Sequence, residues 1–68
     1  MEVLYGGRTI AWIITNRSLT VTEALYAMGY DITCEVDRKK AYDKGFPAAY
    51  IDDEGHYQID TERLEMKY

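Results

Sequence analysis

The sequence predicts an α+β fold: one domain over residues 1–68, in which two β-hairpins form a small antiparallel sheet and two short helices lie between them. Three observations support this class. Two stretches of strand-forming residues surround glycine-containing turns, a helix-capping pattern stands between them, and 47 % apolar residues with a single proline indicate a folded core. A chain of 68 residues leaves no room for a second domain. The predicted order is β-β-α-α-β-β with a short C-terminal turn.

The first predicted element is a hairpin. Residues 3–5 and 8–15 flank a Gly-Gly dipeptide, which tolerates the positive φ angles of a two-residue turn. In the second arm, apolar side chains fill both alternating sets of positions from 10 to 14. A strand that is apolar on both faces is typical of the centre of a sheet, so we expect this arm to be central and Trp12 to lie in the core.

The first helix is predicted to begin at Thr20. Thr20 and Glu23 have the spacing of a capping box, in which each side chain accepts a hydrogen bond from the other residue's backbone amide. Gly29 supplies the left-handed residue that commonly follows a helix. The apolar face of this helix is predicted to consist of Val21, Ala24, Leu25 and Met28.

A second, shorter helix is predicted from Asp37, as N-cap, through Lys44. Gly45 and the extended bias that Pro47 imposes on the preceding residue should end it.

The second hairpin is predicted from residues 48–51 and 56–59, which alternate around the turn-forming tip at 52–55. Thr61 is a good helix cap, and the acid that follows it suits a helix start. We therefore expect a last helical turn at residues 61–64.

Two helices followed by a hairpin resemble the small winged helix-turn-helix proteins of the excisionase and MerR type. The segments that carry the resemblance are residues 19–25, 36–42, 45–48 and 59–65. In that family the second helix enters the major groove and the wing touches the DNA backbone. The resemblance therefore implies nucleic-acid contacts by Arg38, Lys39, Lys40 and Lys44. A run of basic residues is also typical of a solvated helix face, and here neighbouring acidic residues neutralise its charge.

The net charge of −4 is concentrated in the last third of the chain. Residues 46–68 contain six acids and two bases, whereas residues 1–45 contain six of each. An acidic surface repels phosphates, so it predicts a protein partner with a basic surface and leaves nucleic acid as a partner only under the helix-turn-helix alternative.

Seven tyrosines in so small a chain cannot all be buried, because each buried hydroxyl needs a hydrogen-bond partner. Exposed tyrosine is enriched in binding surfaces, since it offers a large rigid contact area. Covering a thin sheet is an equally simple use for any one of these rings. The predicted protein-binding residues are Tyr50, Asp52, Asp53, Glu54, Tyr57, Asp60, Glu62, Glu65 and Tyr68.

Catalytic, metal and cofactor sites are not expected. His56 and Cys34 are the only histidine and cysteine, so a zinc site cannot be assembled from the usual ligands. A triad of Cys34, His56 and an acid is conceivable, but we favour Cys34 as a small buried hydrophobe and His56 as an exposed strand residue. No enzyme is predicted. A lone cysteine, no membrane span and no signal peptide together predict a cytoplasmic protein.

The functional hypothesis is a small acidic inhibitor or regulator that binds another macromolecule without catalysis. By size, charge and tyrosine content the chain resembles the anti-CRISPR and anti-restriction inhibitors of phages and mobile elements, which present carboxylates in place of phosphates. The alternative is an excisionase-like DNA-binding regulator. A homodimer held by an exposed strand edge is a third possibility.

Overall fold

The computed structural model describes residues 1–68 and confirms the α+β class and the order of the elements. The hairpins belong to two separate antiparallel sheets, and a fifth strand that was not predicted closes the chain. The elements are β1 (Glu2–Tyr5), β2 (Arg8–Trp12), α1 (Val21–Ala27), α2 (Glu35–Asp43), β3 (Ala49–Ile51), β4 (Tyr57–Ile59), a 3₁₀ turn (Thr61–Arg63) and β5 (Leu64–Lys67).

The larger sheet has the strand order β2-β1-β5. β1 is therefore the central strand, and the expectation that the second hairpin arm is central is wrong. The reason is the unpredicted strand: β5 pairs antiparallel with β1 from Tyr5 opposite Leu64 to Glu2 opposite Lys67. This pairing takes the side of β1 that β2 does not use, and it leaves β2 at an edge.

Trp12 is 74 % exposed, so its predicted place in the core is also wrong. Directly opposed residues of antiparallel strands share a face of the sheet. Trp12 lies opposite Glu2, which lies opposite Lys67, so these three side chains share the outer face of the sheet. The inner face carries Val3 opposite Ala11.

The first hairpin turns at Gly6 and Gly7, whose φ angles of 57° and 82° are those of a two-residue turn with both central residues left-handed. Its register shifts between Val3 and Leu4, which pair with Ala11 and Thr9. The residue between those two partners, at position 10, is an extra one, so β2 contains a β-bulge.

The predicted start and end of α1 are confirmed. The Glu23 amide donates to the Thr20 hydroxyl over 3.1 Å, and the Thr20 amide donates to the Glu23 carboxylate over 3.0 Å. Gly29, at φ 97°, ends the helix, and the next amide donates back to the Leu25 carbonyl over 2.9 Å. The predicted apolar face is the one that packs inward, with Ala24 and Leu25 fully buried.

α2 begins three residues earlier than predicted: its N-cap is Cys34, not Asp37, and its first residue is Glu35. The Asp37 carboxylate instead accepts from the Asp31 amide over 2.8 Å, so it closes the connection between the helices. The end of α2 is as predicted: Gly45 has φ 79°, and the Phe46 amide donates to the carbonyl of residue 41 over 3.0 Å.

The second hairpin is confirmed. Its tip is closed by Asp52, whose Oδ1 accepts from the amides of Glu54 and His56 over 3.0 and 2.9 Å, and by Gly55 at φ 83°. The 3₁₀ turn that follows is the expected last helical turn, although Thr61 is not its cap, because the N-cap residue is Asp60.

The core lies where these parts meet. Val3 and Leu64 from the large sheet pack with one or two residues from each helix and from the second hairpin. The whole cluster is Val3, Leu25, Ala41, Ala48, Ile59 and Leu64. Two alanines in a cluster of six make this a small core, of the size that stabilises a domain by only a few kcal/mol. The longest helix has nine residues, and none of the helices is long and apolar enough to cross a bilayer.

Candidate functional site

The structure does not place all of the predicted protein-binding residues on one side. In the second hairpin, Tyr50 lies opposite Gln58, and Ile51 lies opposite Tyr57. Because side chains alternate along a strand, Tyr50 and Tyr57 are on opposite faces of the hairpin. The predicted surface therefore separates into parts.

Besides Tyr57, six of the nine predicted residues lie in the second hairpin or in the short segment between it and β5. We name them the acidic hairpin surface: Tyr50, Asp52, Asp53, Glu54, Asp60 and Glu62. The Gln58 amide nitrogen donates to Asp52 Oδ2 over 3.1 Å, on the face that Gln58 shares with Tyr50. Tyr50, Asp60 and Glu62 line one open concavity, together with Arg63.

Two carboxylates of this surface serve the fold. Asp52, half-buried, holds the hairpin tip, and its pKa is lowered chiefly by the hydrogen bond from the His56 amide and then by that from Gln58. Asp60 Oδ2 accepts the Tyr5 hydroxyl over 3.0 Å and lies 3.5 Å from Arg63 Nε. These two acids are therefore only partly available to a partner.

The other three carboxylates are free. Asp53, Glu54 and Glu62 are exposed, and their side chains take part in no hydrogen bond or ion pair. The Tyr50 ring, which lines the same concavity as Glu62, is 46 % exposed. Recognition by this surface would rest on these three charges and this ring.

Three predicted residues lie elsewhere. Tyr57 packs edge-on against Tyr42 of α2, with ring centroids 5.5 Å apart. Glu65 lies opposite Leu4, on the outer face of the large sheet. The Tyr68 hydroxyl accepts from the Leu19 amide over 2.8 Å and donates to the Leu19 carbonyl over 2.7 Å. Tyr57 and Tyr68 thus hold distant segments together, and none of the three belongs to the acidic hairpin surface.

The basic run on α2 is half used by the fold. Arg38 is half-buried and donates from Nε to the Tyr57 carbonyl over 2.6 Å and from Nη1 to the Ile32 carbonyl over 2.5 Å. Lys39 Nζ lies 2.7 Å from Asp43 Oδ2 and 5.7 Å from the centre of the Tyr57 ring.

Lys40 and Lys44 are exposed and make no such contact, so they are the two free cations among the four residues that the helix-turn-helix resemblance assigns to nucleic acid.

Sequence reasoning missed the contacts that attach the second hairpin to α2. Glu35 Oε2 accepts from the Tyr57 amide over 3.1 Å and lies 3.1 Å from His56 Nδ1. The Tyr57 amide, and then His56, lower the pKa of the Glu35 carboxyl. With Arg38 these contacts fix the hairpin, and hence the acidic tip, relative to the helix. No local sequence pattern predicts these hydrogen bonds, because the donor and acceptor residues are about 20 positions apart in the chain.

The expectation that Cys34 is buried is wrong: Cys34 is exposed, at the N-cap position of α2. His56 is exposed, as expected, and pairs with Glu35. The thiol makes no hydrogen bond to His56, so the three residues do not form a connected triad in this structure. No three His, Cys, Asp or Glu side chains stand close enough to hold a metal ion.

No protein-family model, curated protein or solved structure matches this chain. The winged helix-turn-helix resemblance therefore stays a prediction from the sequence.

Proposed function

We propose that the protein works by binding, as a small acidic inhibitor or regulator whose acidic hairpin surface docks on a basic, nucleic-acid-binding surface of a partner protein. The mode is that of anti-CRISPR and anti-restriction proteins. The observations that carry the proposal are three exposed, unpaired carboxylates, Asp53 and Glu54 at the hairpin tip and Glu62 after the hairpin, together with the exposed ring of Tyr50 in β3.

The charge of the surface supports a basic partner. The acidic hairpin surface contains five carboxylates, and the one guanidinium that pairs with any of them, that of Arg63, is itself 71 % exposed. The Asp60 amide donates to the Ala48 carbonyl, so Asp60 lies beside Ala48 at the end of the hairpin away from the tip. The stretch from Ala48 to Asp52 spans about 13 Å, at about 3.3 Å per residue. With the tip included, the surface presents on the order of one carboxylate per 4 Å, against one charge per about 1.7 Å of duplex DNA.

A charge density lower than that of DNA means that charge alone would not compete with nucleic acid for the partner. The exposed ring of Tyr50 can add a rigid apolar contact to the binding energy of the charged groups. The surface is also held firmly in place, because Arg38 and Glu35 fasten the hairpin to α2. A surface that is already ordered loses less entropy when it binds.

The test is affinity capture from a bacterial lysate with two charge-matched variants. The double variant Asp53→Asn and Glu54→Gln removes two free charges from the acidic hairpin surface. The control, Asp43→Asn and Glu65→Gln, makes the same change in net charge on α2 and β5. Asp52 is kept in both, because it holds the turn.

We expect the wild type and the control to capture a basic protein that is released by excess duplex DNA and by about 0.5 M salt. The hairpin double variant should lose most of this capture. Capture that survives in the hairpin variant, or that DNA does not displace, would contradict the proposal.

Fluorescence anisotropy with labelled duplex DNA tests the alternative regulator. If the chain itself bound a specific duplex at physiological salt, and Lys40→Ala and Lys44→Ala weakened that binding, the helix-turn-helix function would replace this one.

A further inference from the structure

The outer edge of β2 is uncovered and apolar. β1 is the only element on which β2 packs extensively. Beyond its end the chain remains paired, because Met1 and Ile13 exchange both backbone hydrogen bonds, each 2.8 Å long. Leu19 is bonded to Tyr68, so the chain crosses the end of the sheet after residue 15 and does not fold back over this edge.

Free backbone groups and exposed apolar side chains coincide at this edge. Residues of an antiparallel pair alternate between facing the partner strand and facing away. Since Ile13 faces β1, the amides and carbonyls of Trp12 and Ile14 point outward. Their side chains are 74 % and 104 % exposed. Two large apolar side chains that are neighbours on one face of a free edge are typical of a strand that pairs with another strand.

We propose that the edge segment 11–15, which is the end of β2 and the three residues that extend it, pairs antiparallel with the same segment of a second copy of this chain, about a two-fold axis at Ile13, and so forms a homodimer with a continuous six-stranded sheet. In this register Trp12 lies opposite Ile14 of the other copy, and Ile14 lies opposite its Trp12. Both pairs are of the aromatic and β-branched type that stabilises antiparallel strands.

A second copy fits this edge because residues 11–15 are self-complementary. The segment Ala-Trp-Ile-Ile-Thr contains no charge, so pairing it with itself opposes no like charges. The nearest charged residues along the chain are Arg8 and Arg17, outside the pairing segment. The bulge at position 10 ends the regular ladder on one side, and the bend after Thr15 ends it on the other.

The opposite edge strand of the sheet, β5, carries charged side chains. β5 carries Glu65 and Lys67, and charges of this kind block pairing between edges. Residues 9–15 contain no charged residue and no proline. Only eight of the 68 residues are buried in the single chain, so burial at this edge would add appreciably to a small core.

The test is sedimentation equilibrium of the full chain from about 10 μM to about 1 mM, the range in which small interfaces form. The mass should rise from 7.9 kDa toward twice that value. Fluorescence of Trp12, the only tryptophan, should move to shorter wavelength over the same range as its ring leaves water.

Two variants probe the edge separately. Ile14→Lys removes the apolar side chain and places a charge on both sides of the axis, which should raise the dissociation constant at least about tenfold. Ile14→Pro removes an amide that makes no hydrogen bond within the chain, and it should weaken the ladder as well. Val36→Lys is the matched control, since Val36 is 73 % exposed on α2, and it should dimerise like the wild type.

Salt separates this proposal from docking by the acidic hairpin surface. Two chains of net charge −4 repel at long range, so added salt should leave the dimer unchanged or strengthen it, whereas salt weakens docking on a basic partner. A wild type that stays at 7.9 kDa throughout would overturn the proposal. So would Ile14→Lys and Ile14→Pro variants that associate as tightly as the wild type.

Discussion

Replacing Arg38 by alanine should destabilise the protein, because this side chain joins three parts of the fold. Its guanidinium, carried by α2, donates to the Tyr57 carbonyl of β4 over 2.6 Å and to the Ile32 carbonyl of the connection between the helices over 2.5 Å. A hydrogen bond to a charged group contributes about 1.5–3 kcal/mol. Arg38 is only half-buried, so solvent screening reduces the contribution of each bond below that range, and we expect a loss of about 2 kcal/mol for the two bonds together.

That loss is large beside the total stability of about 3–5 kcal/mol that a core of this size provides. Urea unfolding followed by circular dichroism measures it. With a slope of about 1 kcal/mol per molar urea, the midpoint should fall by about 2 M, with the slope unchanged.

Lys40→Ala is the control, since Lys40 is exposed on the same helix and unpaired, and it should change the free energy of unfolding by less than about 0.5 kcal/mol. Equal stability of the two variants would refute the structural role of Arg38. It would also return Arg38 to the set of residues available for nucleic acid.

The remaining predictions concern the second hairpin. Hydrogen bonds from backbone amides lower the pKa of Glu35 and Asp52 below their ordinary values of 4.5 and 3.8, so these carboxylates stabilise the folded state above those values. This stability is lost as the pH falls through the lowered pKa values. In urea unfolding from pH 7 downward, the free energy of unfolding should therefore begin to decline near pH 4.5, and Glu35→Gln should make that decline shallower. Asp52→Ala should lower the thermal midpoint, because it leaves two tip amides without their acceptor, whereas Asp53→Ala should not; equal midpoints would show that Asp52 does not hold the turn.

The two proposed interfaces lie on different parts of the molecule and have different chemistry. The acidic hairpin surface is charged and belongs to the small sheet, which is fastened to α2. The edge of β2 is uncharged from Ala11 to Thr15 and belongs to the large sheet. A dimer formed through β2 would therefore display two acidic hairpin surfaces, and a partner with two basic sites would bind both copies more tightly than one.

The local elements could be predicted from the amino-acid sequence. The capping box at Thr20, the glycines that turn the first hairpin and end both helices, and the tip of the second hairpin are all present as predicted. Each of these features is decided by residues within four or five positions of one another, through hydrogen bonds and φ angles that the sequence specifies directly. This is also why the α+β class and the order of the elements could be predicted.

The central strand and the set of exposed side chains depend on contacts between segments that are distant in the sequence. β1 and β5 pair across nearly the whole chain, and that pairing moves β2 to the edge and Trp12 to the surface. The fastening of the hairpin by Arg38 and the division of the predicted binding residues between surfaces have the same origin. Apolar alternation shows that a strand has two apolar faces, but burial depends on which distant segment arrives to cover each face, and no local pattern carries that information.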